Sequence, residues 1–129
     1  MAPGRVRAGA LAADVVAVLA FAALGRASHG QPAELSGYLG TVAPFLVGLL
    51  AAWLTPVVRA EPTSFRAGGV VLLAAAVGGL LLRAAFTGRL PLSFFLVATS
   101  TMAMLLLGWR GVTAVVARLR GARGLAGRT

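Results

Sequence analysis

Residues 67–86 read AGGVVLLAAAVGGLLLRAAF, an apolar run with Arg83 as its single charge and no proline. A helix needs about 20 such residues to cross the hydrocarbon core of a bilayer, so this stretch reads as a transmembrane helix on its own. Three further stretches share its character. Residues 8–25 are apolar apart from Asp14, residues 37–58 carry no charge, and residues 92–109 carry none either. Val112, Val115, Val116 and Leu119 keep helical spacing beyond the last of these and extend it to residue 119. The connections at 26–36, 59–66 and 87–91 hold the breakers Gly30, Pro32, Pro62, Gly88 and Pro91 and are too short for a soluble domain. Short connections force antiparallel neighbours. The expected architecture is therefore all-α: an integral membrane up-down bundle of four transmembrane helices. It forms one membrane domain over residues 1–129, with a basic tail at 120–129.

The bulk numbers agree. The chain is 59% hydrophobic and 12% charged, against about 45–50% and about 25% in soluble domains. A soluble core of this size could not hide so much apolar surface. The net charge of +9 does not indicate nucleic acid, because the arginines stand singly between apolar runs and line no polar face. All 12 basic residues are Arg. With no cysteine and a single histidine, His29, no thiolate chemistry is available and no ordinary multi-ligand metal site is expected. No cofactor and no catalytic residue is assigned. The first segment resembles a signal peptide only in part, since Asp14 interrupts its apolar run and Arg26 occupies the neutral cleavage region. It is expected to stay attached.

Orientation follows from the arginines. One side of the bundle holds Arg5, Arg7, Arg59, Arg66, Arg110, Arg118, Arg120, Arg123 and Arg128, and the other holds Arg26, Arg83 and Arg89. The positive-inside rule puts both termini in the cytoplasm and the bundle in the cytoplasmic membrane. Anionic lipid headgroups at the cytoplasmic face are then the natural partner of the tail. A second copy or another membrane protein is the candidate protein partner.

Within lipid, helices associate through small residues and polar contacts. Ala74 and Gly78, and likewise Ala75 and Gly79, are four apart on the third helix, with Arg83 on the Gly79 face. On the first helix Ala10, Ala17, Phe21 and Gly25 share the face of Asp14, and on the fourth Thr99, Ala103 and Leu106 share that of Arg110. Asp14 lies about 9 Å into its helix. Its side chain leans toward the helix N-terminus, while Arg110 leans back into the membrane from the opposite direction. The two converge, so an Asp14–Arg110 pair is expected, with Arg59 and Arg66 as competitors. At the outer end, Arg26, His29, Arg83 and Arg89 face only Glu34, and either snorkel or attract an anion. Trp53 and Trp109 are expected as interfacial anchors. Pro44 is expected to kink the second helix. Thr99, Ser100 and Thr101 are expected to bond between helices.

Several short signatures occur together: Asp14 inside the first helix, Gly25-Arg26 followed by His29, Pro44-Phe45 with Gly48 and Trp53, then Arg83, Ser93-Phe94 and Gly108-Trp109-Arg110. In order and spacing they resemble the domain-of-unknown-function 3054 family of small prokaryotic membrane proteins. The resemblance implies a multi-pass membrane protein with no established activity and no catalytic residues to transfer. It directs attention to Asp14, Arg26, His29, Arg83 and Arg110. From the sequence the leading expectation is a non-enzymatic accessory or scaffold bundle. The alternative is a small homo-oligomeric transporter or channel for an anion or proton, since ionisable groups in membranes are functional candidates by default.

Overall fold

The computed structural model describes residues 4–28, 35–88 and 92–127, and among them every regular element is a helix. In chain order these are α1 (Gly4–Ser28), α2 (Leu35–Trp53), α3 (Pro56–Ala60), α4 (Phe65–Leu73), a wide π turn (Ala74–Gly78), α5 (Gly79–Thr87) and α6 (Leu92–Gly127). Helix α4, the π turn and α5 join end to end. Four stretches are thus long and apolar enough to cross a membrane: Gly4–Ala27, Leu35–Trp53, Phe65–Phe86 and Phe95–Gly124, with mean hydropathy 2.0, 1.7, 2.1 and 1.4. The four expected helices are present.

The first helix runs over Gly4–Ser28, wider than the expected 8–25, and the largest departures from the sequence reading are at the ends of the second and fourth helices. The second helix, expected over 37–58, stops at Trp53. Pro56 disfavours helical backbone at the residue before it, and Thr55 is extended at φ −81°, ψ 144°. Leu54 and Thr55 close the last turn with tighter bonds, from their amides to the carbonyls of Ala51 (3.2 Å) and Ala52 (3.0 Å). Pro56 then opens α3, where its missing N–H costs nothing. The other difference is at the far end. Helix α6 does not stop at 109 or 119 but continues to Gly127, so Arg120 and Arg123, read as tail, are helical.

Two further ends follow ordinary capping rules. Ser64 opens α4: its Oγ accepts from the Ala67 amide at 3.0 Å and donates to the Glu61 carbonyl at 2.7 Å. Gly88 closes α5 in the left-handed region at φ 71°, a conformation that a residue with a β-carbon resists. Pro44 lies buried within α2, which remains one helix through it although the Gly40 carbonyl loses the donor that proline lacks.

The tightest approach is between α2 and the third span. A β-carbon on Gly48 would collide with the backbone carbonyl of Ala74, and one on Gly79 would lie 3.0 Å from the Phe45 Cα. The bare backbone of these glycines lets two helices nearly touch, the small-residue packing expected of lipid-embedded helices. The π turn serves the same contact. A residue recurring every four positions on an α-helix drifts by about 40° per turn, so the buried row Ala67, Val71, Ala75 would rotate off the interface. A wider turn at 74–78 takes up the drift, and Ala76, Gly79 and Leu80 stay inside. Phe21 of α1 meets Phe45 edge-on, with ring centroids 5.1 Å apart. That contact seats α1 against α2.

Replacing Gly48 by leucine must push α2 off the third span, because the obstructing atoms are backbone. The expected loss is about 1–3 kcal/mol or more, read as a lower thermal midpoint of the purified protein in mild detergent. Gly40→Leu, whose added β-carbon meets nothing within 4 Å, should lower it far less.

Candidate functional site

The candidate site forms where α2 hands over to α4, around the carboxylate of Asp14. On α1 Asp14 follows Ala10 and precedes Ala17, Val18 and Phe21 on the same buried face. On α6 a row spaced by four, Ala98, Met102, Leu106 and Arg110, turns inward. The small residues on α1 let the two helices close, and Asp14 and Arg110 meet with both side chains fully buried.

The contact is bidentate. Arg110 Nη1 donates to Asp14 Oδ1 at 2.8 Å and Nη2 donates to Oδ2 at 2.9 Å, the forked geometry that makes guanidinium–carboxylate pairs strong. The expected pair is present. The exposed Arg59 and Arg66 do not take its place; the Arg59 carbonyl instead accepts from Arg7 Nε at 3.0 Å.

Two further donors complete the carboxylate. Trp53 Nε1 donates to Oδ2 at 3.0 Å, and Trp109 Nε1 donates to Oδ1 at 2.9 Å. Each oxygen therefore accepts two hydrogen bonds. Here the expectation of interfacial anchors needs correcting: both indoles point their N–H groups inward, and Trp53 is only 8% exposed. An indole N–H is a donor without an acceptor function, and a buried carboxylate is the strongest acceptor within reach.

The guanidinium is nearly as occupied, with four of its five N–H groups donating. Its Nε donates to the Pro62 carbonyl at 3.1 Å, and Nη1 also donates to the Leu106 carbonyl at 3.0 Å, one turn back on its own helix. Its Cζ lies 4.3 Å from the Trp109 ring centroid, within cation–π range. Gly68 of α4 makes the room, since a β-carbon there would sit 2.8 Å from Arg110 Cδ. Residues from α1, α2, α4, α6 and the loop at Pro62 thus surround one ion pair.

At the opposite end of α1, Arg26 reaches across to α2. Its Nη1 donates to the Gly37 carbonyl at 3.1 Å and to Thr41 Oγ1 at 3.0 Å, and a β-carbon on Gly37 would come within 2.6 Å of its Nη2. Tyr38 adds a bond from its hydroxyl to the Leu19 carbonyl at 2.7 Å. Arg83 lies half-buried on α5. His29, Glu34 and Arg89, the rest of the outer-end cluster read from sequence, lie outside the described residues.

The hydroxyls of the fourth span correct another expectation. Ser100 and Thr101 donate to Leu96 (2.8 Å) and Val97 (2.9 Å) on their own helix, not across to a neighbour. Lipid offers no acceptor, so an exposed hydroxyl turns back to the carbonyl one turn earlier. The Thr99 hydroxyl is buried without a partner among the described residues. Among those residues no three His, Cys, Asp or Glu side chains converge as a metal site would require.

The sequence missed Trp53, Trp109, the Pro62 carbonyl and Gly68. The depth count that paired Asp14 with Arg110 also places Trp53, at the end of α2, on the same level, and Trp109 adjoins Arg110. That signal was available for the two tryptophans. Nothing local marked the Pro62 carbonyl.

Four helices long and apolar enough to cross a membrane, folded around a buried bidentate ion pair, define the class: a multi-pass membrane helix bundle. The chain belongs to the family described as protein of unknown function (DUF3054), whose sequence pattern matches residues 11–113. The match begins just before Asp14 and ends just after Arg110. No curated protein and no solved structure matches the chain.

Breaking a buried pair by removing one partner costs about 3–5 kcal/mol, because the other charge is left stranded. Asp14→Leu and Arg110→Leu should each unfold the bundle at markedly lower temperature in detergent. Asp14→Leu/Arg110→Leu together should lose much less than the sum, and a double-mutant cycle measures the coupling. Trp53→Phe keeps an aromatic ring but removes the pyrrole portion with its N–H donor, for an expected loss of about 1–3 kcal/mol or more. Its check is the same thermal midpoint.

Proposed function

We propose that this protein is a non-enzymatic accessory or scaffold bundle of the cytoplasmic membrane, with both termini on the cytoplasmic side. The observation that carries the reading is the state of Asp14. A carboxylate that moves protons or ions exchanges partners; this one accepts four hydrogen bonds from Trp53, Trp109 and Arg110 and is 0% exposed. Its chemistry is spent on joining helices. Arg26, bonded to Gly37 and Thr41, is used in the same way. Such a bundle acts through what its surface holds, and a second copy or another membrane protein is the proposed partner.

The orientation rests on the arginines at the end where α1 begins and α6 finishes, Arg5, Arg7, Arg59, Arg66, Arg118, Arg120 and Arg123, against Arg26 and Arg83 toward the other. With no native cysteine, Glu61→Cys gives a single reporter for a membrane-impermeant thiol reagent. Labelling only after the cytoplasmic side is opened supports this topology, and labelling of intact cells overturns it.

Two measurements test the role. Proteoliposomes holding the pure protein should show no anion or proton flux above empty vesicles. Flux that disappears in a folded Asp14→Asn protein would replace this reading with a transporter. Cross-linking in native membranes followed by mild solubilisation should recover the chain in a defined assembly. Recovery as a lone monomer removes the scaffold role.

A further inference from the structure

Helix α6 is much longer than a membrane requires. Its 36 residues reach about 54 Å at about 1.5 Å per residue, whereas the hydrocarbon core is about 30 Å thick. Arg110 lies level with Asp14, about 9 Å inside the hydrocarbon boundary, so the turns after it run out through that boundary near Val116 and carry Arg118, Arg120 and Arg123 into the headgroup layer.

Those turns have a pattern of their own. Val112, Val115, Val116 and Leu119 recur at i, i+3, i+4 and i+7, the spacing of one helix face. They are 65%, 55%, 39% and 58% exposed, so nothing in the bundle covers them. Arg118 and Arg120 lie one residue either side of Leu119. At about 100° per residue they flank the apolar stripe left and right, and Arg123 follows one turn on. All three are exposed. An apolar stripe bordered by arginines is the arrangement that lets a helix sit at the acyl–headgroup boundary, with its cationic stems reaching phosphate.

The occupant must be apolar along the stripe and negative along its edges. A second copy of the same helix meets the first condition and fails the second, since it brings three more arginines to the contact. The headgroup layer from which α6 emerges meets both, and is always adjacent. We infer that the segment from Val112 to Arg123 is a binding surface for anionic phospholipid, with Arg118, Arg120 and Arg123 holding headgroup phosphates. This goes beyond the scaffold reading and does not depend on it, because the lipid contact holds whatever the bundle assembles with.

The test is native mass spectrometry of the full chain released from detergent and titrated with phosphatidylglycerol or phosphatidylcholine. Phosphatidylglycerol should be retained in preference, and the preference should shrink with salt. Each arginine near a charged surface contributes about fivefold, so Arg118→Ala/Arg120→Ala/Arg123→Ala should weaken phosphatidylglycerol binding by about a hundredfold. These residues lie beyond the packed part of the bundle, and circular dichroism should report unchanged helicity. The triple lysine variant should keep most of the preference. Equal retention of the two lipids overturns the inference, as does undiminished phosphatidylglycerol binding by the alanine variant. A dimer that Leu119→Glu dissociates, without change in lipid retention, would reassign the stripe to self-association and equally overturn it.

Discussion

A carboxylate and a guanidinium placed singly in hydrocarbon would each disfavour insertion by about 2.5–3.5 kcal/mol on translocation scales. Placed against one another they satisfy each other through a bidentate contact. Asp14 sits on α1 and Arg110 on α6, the first and fourth of the described spans, so the pair ties together helices far apart in sequence. The contact also recruits the intervening elements: Trp53 brings in α2, Pro62 the loop after α3, and Gly68 the first turn of α4. The arrangement of those elements at this end is set by the requirement that every lone pair of the carboxylate be met.

Elsewhere the bundle is held by shape. Gly48 and Gly79 bring α2 and the third span to backbone contact, and the π turn keeps the inner row of that span aligned for its full length. Arginine and glycine are used together twice. Arg110 lies over Gly68 and Arg26 over Gly37, each long cation occupying the volume that a side chain would have filled on the facing helix. A buried arginine needs both acceptors and room, and a glycine opposite provides the room.

The sequence made the spans legible because hydropathy and length are strong signals when lipid is the solvent. The Asp14–Arg110 pair was legible too, since rise per residue and side-chain direction place both groups at one depth. The tryptophans were misread because interfacial enrichment is a statement about where Trp sits, whereas hydrogen-bond satisfaction decides where its N–H points. The apolar run around Leu54 and Thr55 masks the break there, although Pro56 marks it. Polarity alone points Ser100 and Thr101 toward neighbours, but their hydroxyls bond back to their own helix. Family membership followed correctly from scattered residues, and those that carried it include both members of the ion pair.

The two members of that pair are 96 residues apart. Synthesis proceeds from the N-terminus at about 5–20 residues per second, so the aspartate enters the bilayer several seconds before its counter-ion exists. During that interval the nascent first helix carries a charge that hydrocarbon does not tolerate alone. Arrival of α6 with Arg110 then ends the wait.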